Sequence, residues 1–342
     1  MPNGDPIWRA SLQNSHGLTL RVISLGGIIT ELWVPDRKGS SADVVLGLKT
    51  AADYLSGHPW FGAITGRVAG RITSGRFELD ETPYQLEINN PPNHLHGGSH
   101  ALDKKNWAME PFQTNCGEPA VALTYHSPDG DSGYPGNLDV RVVYTLTDDN
   151  ALKIEYEAVT DRATPLSLTN HSYFNLAGEG SGSIGGHQIE IFADSFVPTD
   201  MDMTLTDEVV PVADKGNDLR QIRTLDEVIP GLFKAHGDNY VLSRCRPDQP
   251  ILAARVSDPL CGRMMEVETT EQCLQFYTGV LLPEGKWTGK SGRIYHSHDG
   301  FCLECHGYPN GVRHPEITDI VLRPGQTYKQ TTLYRFKTDQ VA

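Results

Sequence analysis

The run Leu18-Thr19-Leu20-Arg21-Val22-Ile23-Ser24-Leu25 alternates residue by residue, and Gly26-Gly27 interrupts it before residues 28–34 take the pattern up again. In an extended chain successive side chains leave on opposite faces. Leu18, Leu20, Val22 and Ser24 therefore share one face, and Thr19, Arg21, Ile23 and Leu25 the other. A period of two predicts strand, and the glycine pair marks the break between two strands.

The same signal recurs along the chain. It predicts strands at residues 43–46, 76–79, 84–88, 121–126, 138–146, 152–159, 188–192, 251–256, 264–269, 273–277, 301–304 and 328–336. Turn signals separate them, among them Pro35-Asp36-Arg37-Lys38-Gly39, Asp129-Gly130, Asp148-Asp149-Asn150 and Arg323-Pro324-Gly325. Helix is expected only at residues 50–55 and 224–229, the latter with Thr224 placed as N-cap. The 34 glycines and 22 prolines are spread throughout, as many turns between short strands require. Neither linker, low-complexity stretch nor internal repeat divides the 342 residues. The expectation is an all-β chain: one large antiparallel β-sandwich domain over residues 1–342.

A net charge of −14 argues against a general nucleic-acid binder and against docking on an anionic membrane. No run of about 18 apolar residues could span a bilayer. Residues 1–12 carry Asn3, Asp5 and Arg9 and lack the apolar segment of a signal peptide. A cytoplasmic location is expected, with the six cysteines as free thiols and a monomer or homodimer that meets only a small molecule.

Three segments set ionisable residues among apolar or glycine neighbours: Asn93-His94-Leu95-His96-Gly97-Gly98, residues 166–176 around His171, and Phe301-Cys302-Leu303-Glu304-Cys305-His306. On a strand, Phe301, Leu303 and Cys305 share one face, and Cys302, Glu304 and His306 the other. Glu304 is then either a buried carboxyl, raised toward the range of a general base, or a carboxylate on a wet face. Cys302-Leu303-Glu304-Cys305-His306 also matches the C-x-x-C-H pattern of haem attachment. Haem of that kind needs export, zinc needs two further ligands, and a redox pair normally opens a helix, so no metal or cofactor is expected. His94 and His96, two apart, could chelate a metal from one strand face, approach a ligand beside the glycines, or simply stand on a surface loop. His171 in its apolar run reads most simply as a core histidine. Asn170-His171-Ser172 matches a glycosylation sequon, which without a secretory signal reads as chance.

Taken in order, these segments resemble the aldose 1-epimerase family. The likeness also includes Gly26-Gly27-Ile28-Ile29-Thr30-Glu31-Leu32, Asp43-Val44-Val45-Leu46-Gly47, Phe61-Gly62-Ala63-Ile64-Thr65-Gly66-Arg67-Val68-Ala69-Gly70-Arg71-Ile72, Ser127-Pro128-Asp129-Gly130 and Gly133-Tyr134-Pro135-Gly136. Thr169-Asn170-His171-Ser172-Tyr173-Phe174-Asn175-Leu176, Gln275-Phe276-Tyr277-Thr278-Gly279 and Leu322-Arg323-Pro324-Gly325 complete the set. The resemblance implies a galactose mutarotase-like sandwich that interconverts the α and β anomers of free hexoses such as galactose or glucose. It implies Glu304 as general base on the anomeric hydroxyl and His171 as general acid on the ring oxygen. Arg71, His96, Tyr173, Asp238 and Gln275 would bind the sugar. The chain departs from the family at Gly70, usually Asn, and at His306, usually Gln. Within His236-Gly237-Asp238-Asn239-Tyr240, Asp238 takes the family's Asp position only with a one-residue gap.

Mutarotation removes a proton from O1 while delivering one to O5, which opens the ring; it needs one acid and one base and no cofactor. Two alternatives remain: a hexose-6-phosphate epimerase, for which no Arg/Lys cluster stands near the motifs, and a non-catalytic sugar-binding module, which would not require both Glu304 and His171.

Overall fold

The opening run folds as the alternation predicts. Thr19–Ile23 pairs antiparallel with Ile29–Pro35, Leu20 opposite Leu32, and Arg9–Gln13 and Ser41–Asp43 complete a four-stranded sheet. Leu18, Leu20 and Val22 enter the main core. Ile23 and Leu25, on the other face, are buried too, in a second cluster with Tyr173, Tyr277 and Cys302. The computed structural model describes residues 1, 4–206, 208–242, 246, 248–282 and 285–339.

Nine further strands form the largest sheet, in the order Ala108–Gln113, Pro119–Ser127, Leu138–Leu146, Ala151–Thr160, Tyr328–Thr338, Arg263–Thr269, Ile251–Ser257, Gln188–Ile191 and Arg223–Thr224. A five-stranded sheet runs Val210–Pro211, Ser195–Val197, Asn239–Val241, Cys273–Tyr277, Cys302–His306. Every pairing within these three sheets is antiparallel. The all-β expectation therefore holds. Helix is confined to short pieces such as Ala51–Leu55, where Thr50 and Asp53 cap each other reciprocally, and Leu225–Val228. Thr224 does not cap the second: its side chain makes no cap hydrogen bond, and its backbone belongs to a strand paired with Gln188. No helix of the described residues is long and apolar enough to cross a membrane.

The two larger sheets share one core. Val142, Tyr144, Ile154, Val267 and Tyr334 from the nine-stranded sheet meet Leu274, Phe276, Leu303 and Cys305 from the five-stranded one. Burying each large apolar side chain contributes roughly 1.5–3 kcal/mol. Two hydrogen bonds also cross between the layers: Tyr334 Oη donates to Leu303 O and Gln330 Nε2 to Cys305 O, both at 2.9 Å. The Cys302–His306 strand is thus braced from behind by the middle strand of the large sheet.

Arg67 belongs to this framework rather than to a site. Its buried guanidinium donates to the carbonyls of Ser127, Pro128 and Pro135 and to the hydroxyls of Ser127 and Thr164. Arg67→Met is expected to destabilise the fold by about 3–5 kcal/mol in denaturant titrations, because it strands those acceptors in the interior. A loss below about 1 kcal/mol would mean that water replaces the guanidinium there.

Candidate active site

Glu304 sits on the strand Cys302–His306, where alternation directs Leu303 and Cys305 into the main core and leaves Cys302, Glu304 and His306 on the opposite face. That face is dry. Glu304 is 3 % exposed, so the wet-face alternative is excluded.

His171 is brought opposite by the short strand Thr169–Asn170, paired with Ile64–Thr65. Its backbone is held on both sides: His171 N donates to Ala63 O, and Gly62 N donates to His171 O. Asn170 is 2 % exposed, with Nδ2 donating to Gly62 O and Oδ1 accepting from the Ser172 hydroxyl, which removes it as a glycosylation acceptor. The outcome is a 3.6 Å approach of His171 Nε2 to Glu304 Oε1.

His94 and His96 do not face the same way. His94 is built into the structure, with Nδ1 on Glu87 O and Nε2 on the Tyr134 hydroxyl. His96 has a left-handed backbone (φ 51°), which breaks the period of two and swings its ring toward His171, 5.2 Å away between centroids. Gly70 N donates to His96 Nδ1 at 3.1 Å. Arg71 comes from Arg71–Ile72, paired with His94–Leu95, and its Nε donates to Asn90 Oδ1.

These groups line a cavity of about 180 Å³ with Trp60, Asn90, Tyr173, His236, Gln275, Tyr277 and His306. That is below the roughly 300–1,000 Å³ typical of drug-sized sites, as suits one small ligand. A larger cavity of about 810 Å³ lies against Glu31, Trp33, Asp43 and Lys290. The charges deepest in it are paired, Lys290 on Asp43 and Glu31 on Arg21, each at 2.6 Å, and it holds no histidine. Chemistry, not size, identifies the smaller cavity.

Burial sets the protonation there. It pushes the Glu304 carboxyl up to about 8, with Arg71 opposing, and His171 down to about 3. His236 and His306 fall to about 4 and His96 well below its ordinary value, again through burial. At neutral pH the Glu304–His171 pair therefore holds one titrating proton beyond the imidazole's own N–H, and the other imidazoles are neutral. Their tautomers follow from their partners. His96 Nδ1 accepts from Gly70, so its Nε2 carries the hydrogen; His306 Nδ1 donates to Gly307 O at 2.6 Å, so its Nε2 is a bare acceptor.

His96, His171 and Glu304 each offer a ligand atom within 4.8 Å of the others. His96 does not fit a metal, however: with Nδ1 engaged by an amide N–H, Nε2 has no lone pair to give. Cys302 and Cys305 point to opposite faces of their strand and both are free, so the C-x-x-C-H pattern binds nothing as a pair. Cys116 and Cys261 are free as well; Cys245 lies outside the described residues.

Arg71, His96, His171, Tyr173, Gln275 and Glu304, the residues the resemblance points to, thus line one cavity. Gln275 is partly engaged, its Nε2 donating to Phe276 O. Asp238 is not among the lining residues; its carboxyl bonds toward Asn217, where burial raises it to about 6. His236 takes the place at the cavity instead. The chain enters the strand Asn239–Val241 through Gly237, whose φ is 125° and where a Cβ would stand 2.0 Å from Phe276 O. Sequence reasoning also missed Trp60, whose ring lies 4.7 Å from that of His96, and Asn90, which holds Arg71. Trp60 enters through a left-handed residue after Pro59, and no periodic pattern marks it.

A family model described as Aldose 1-epimerase matches residues 9–335. The chain is 42 % identical over 338 residues to a galactose mutarotase of Sus scrofa, covering 98 % of this chain and 96 % of the relative. It is 32 % identical over 345 residues to an aldose 1-epimerase of Escherichia coli (strain K12), with the same coverage. A crystal structure of an aldose epimerase homologue from C. elegans superposes with a TM-score of 0.89 at 28 % identity, covering 97 % of this chain and 99 % of that one.

Proposed function

Because the chain belongs to the aldose 1-epimerase family, an isomerase family, we propose that it interconverts the α and β anomers of free hexoses such as galactose or glucose with Glu304 and His171 as the proton-transfer pair. The observation that carries the assignment of residues is the buried 3.6 Å approach of His171 Nε2 to Glu304 Oε1.

The shared proton moves within the pair, giving carboxylate and imidazolium. Glu304 then takes the proton of O1 as His171 delivers one to O5, and the ring opens to the aldehyde. Rotation about C1–C2 presents the other carbonyl face, and the two transfers reverse on closure. Arg71 and the Nε2–H of His96 donate to sugar oxygens, while His306 Nε2 accepts from a hydroxyl. Tyr173 and Trp60 supply apolar walls, and Gln275 adds a polar edge. Asp238 acts from behind the cavity, through the loop that carries His236.

Polarimetry of freshly dissolved α-D-glucose and α-D-galactose tests this reading. Relaxation faster than in buffer supports it. Acceleration confined to phosphorylated sugars would favour a phosphate-specific epimerase, and binding without acceleration a sugar-binding module. The pH dependence is a further check. With Glu304 raised to about 8, the pair loses its titrating proton above that pH. The enzymatic kcat/KM should be level from pH 6 to about 8 and then fall about tenfold per pH unit. A profile flat to pH 10 would rule out a one-proton pair.

A further inference from the structure

Cys302 and Glu304 are two apart on one strand face, and the imidazole of His171 lies between them. Cys302 Sγ is 3.6 Å from Nδ1, and Glu304 Oε1 is 3.6 Å from Nε2. One strand therefore holds both ends of the ring. We propose that Cys302 is a positioning residue for the acid: its sulfur engages Nδ1, keeps Nε2 aimed at Glu304 and the sugar ring oxygen, and keeps the imidazolium strongly acidic by being uncharged.

This rests on the reading of His171 as the acid. A carboxylate behind Nδ1 would stabilise the imidazolium and weaken it as a proton donor. A ring ether oxygen is a poor base, so a strong acid is what it needs. Burial pushes the Cys302 thiol well above its ordinary range, so the sulfur is neutral, able to accept from Nδ1–H or to donate to a bare Nδ1. The carbonyl of His171 itself, which accepts the Gly62 N–H and has a second lone pair, is the other acceptor near the ring, and the NMR comparison below separates its effect from that of the sulfur. Glu304, Tyr173 and Tyr277 face the ring from neighbouring elements. So do His58, His96, His236 and His306, which burial holds neutral. None of the last four competes for the shared proton at neutral pH.

The test compares Cys302→Val, which fills the space without hydrogen bonding, with Cys302→Ser, which retains a donor and acceptor. In ¹⁵N-histidine NMR of the full chain, with the His171 signals assigned by their absence in His171→Asn, the wild type and Cys302→Ser should show one dominant tautomer. Cys302→Val should show averaged ring shifts. Its kcat should fall about tenfold with KM changed less than about threefold, the scale of one hydrogen bond to a reacting group. Cys302→Ser should restore most of kcat. Wild-type ring shifts and kcat in Cys302→Val would overturn the proposal. A wild-type chain that does not accelerate mutarotation would instead overturn the proposed function, while the NMR comparison would still decide whether Cys302 holds the ring.

Discussion

Glu304→Gln is expected to lower kcat by roughly 10²–10⁴-fold with little change in KM, the usual scale for a proton-transfer group. The amide keeps the shape and a hydrogen-bonding oxygen but cannot carry the proton from O1. No other carboxylate lines the cavity among the described residues, so none can substitute. The same substitution should raise stability, which separates lost chemistry from lost folding. Burial moves the Glu304 carboxyl from an ordinary value of 4.5 to about 8. A group whose folded pKa is raised stabilises fully only below its unfolded pKa, and that contribution fades as pH rises toward the folded value. Between pH 4.5 and 7 the loss approaches about 3 kcal/mol at roughly 1.4 kcal/mol per pH unit. Glutamine has no proton to take up on folding. Its melting temperature should exceed wild type at pH 7 and converge with it toward pH 4.5. A Glu304→Gln variant with wild-type kcat would remove Glu304 from the mechanism; one that is inactive and unfolded would show that the carboxyl acts through the fold.

His171→Asn is the second large effect, again roughly 10²–10⁴-fold in kcat. Asparagine can hydrogen-bond to O5 but cannot give up a proton to it. Because the two residues exchange one proton, their losses should not add: the double variant should lie within about tenfold of the slower single variant, as groups that act as a unit do. Multiplicative losses would mean that each residue works with a different partner. Unlike Glu304→Gln, His171→Asn should lower stability, by about 1 kcal/mol, since the ring packs 5.1 Å from Tyr173 and 6.0 Å from Trp60.

Much of this architecture was legible because strands with one face in the core carry a period of two. Residues 138–146 and 273–277 form strands with the predicted bounds; the first alternates over its opening residues, and the second is a short apolar run broken only by Gln275. Arg9–Gln13 escaped notice because only Ala10 and Leu12 carry its pattern. Ala108–Gln113 escaped because it is an edge strand, mostly exposed, with nothing to alternate against. At the site the periodic signal was sound for Glu304, which lies inside a regular strand. It left His96 open among three readings and did not reach Asp238, which only the resemblance placed; left-handed backbone at His96 and Gly237 sets the local geometry there. His171 looked like a core histidine because it is one by burial; only its contact with Glu304, from a segment far along the chain, gives it chemistry. The resemblance to a known family supplied that pairing, and no spacing rule could have.

The middle strand of the large sheet comes from residues 328–338, joining Ala151–Thr160 on one side to Arg263–Thr269 on the other. A ribosome therefore extrudes two separate half-sheets long before it makes the piece that seams them. Until that strand is made, the edges it will pair with have no partner, and unpaired strand edges are the surfaces through which chains associate wrongly. The strand that backs Glu304 is thus the last part of the large sheet to be synthesised.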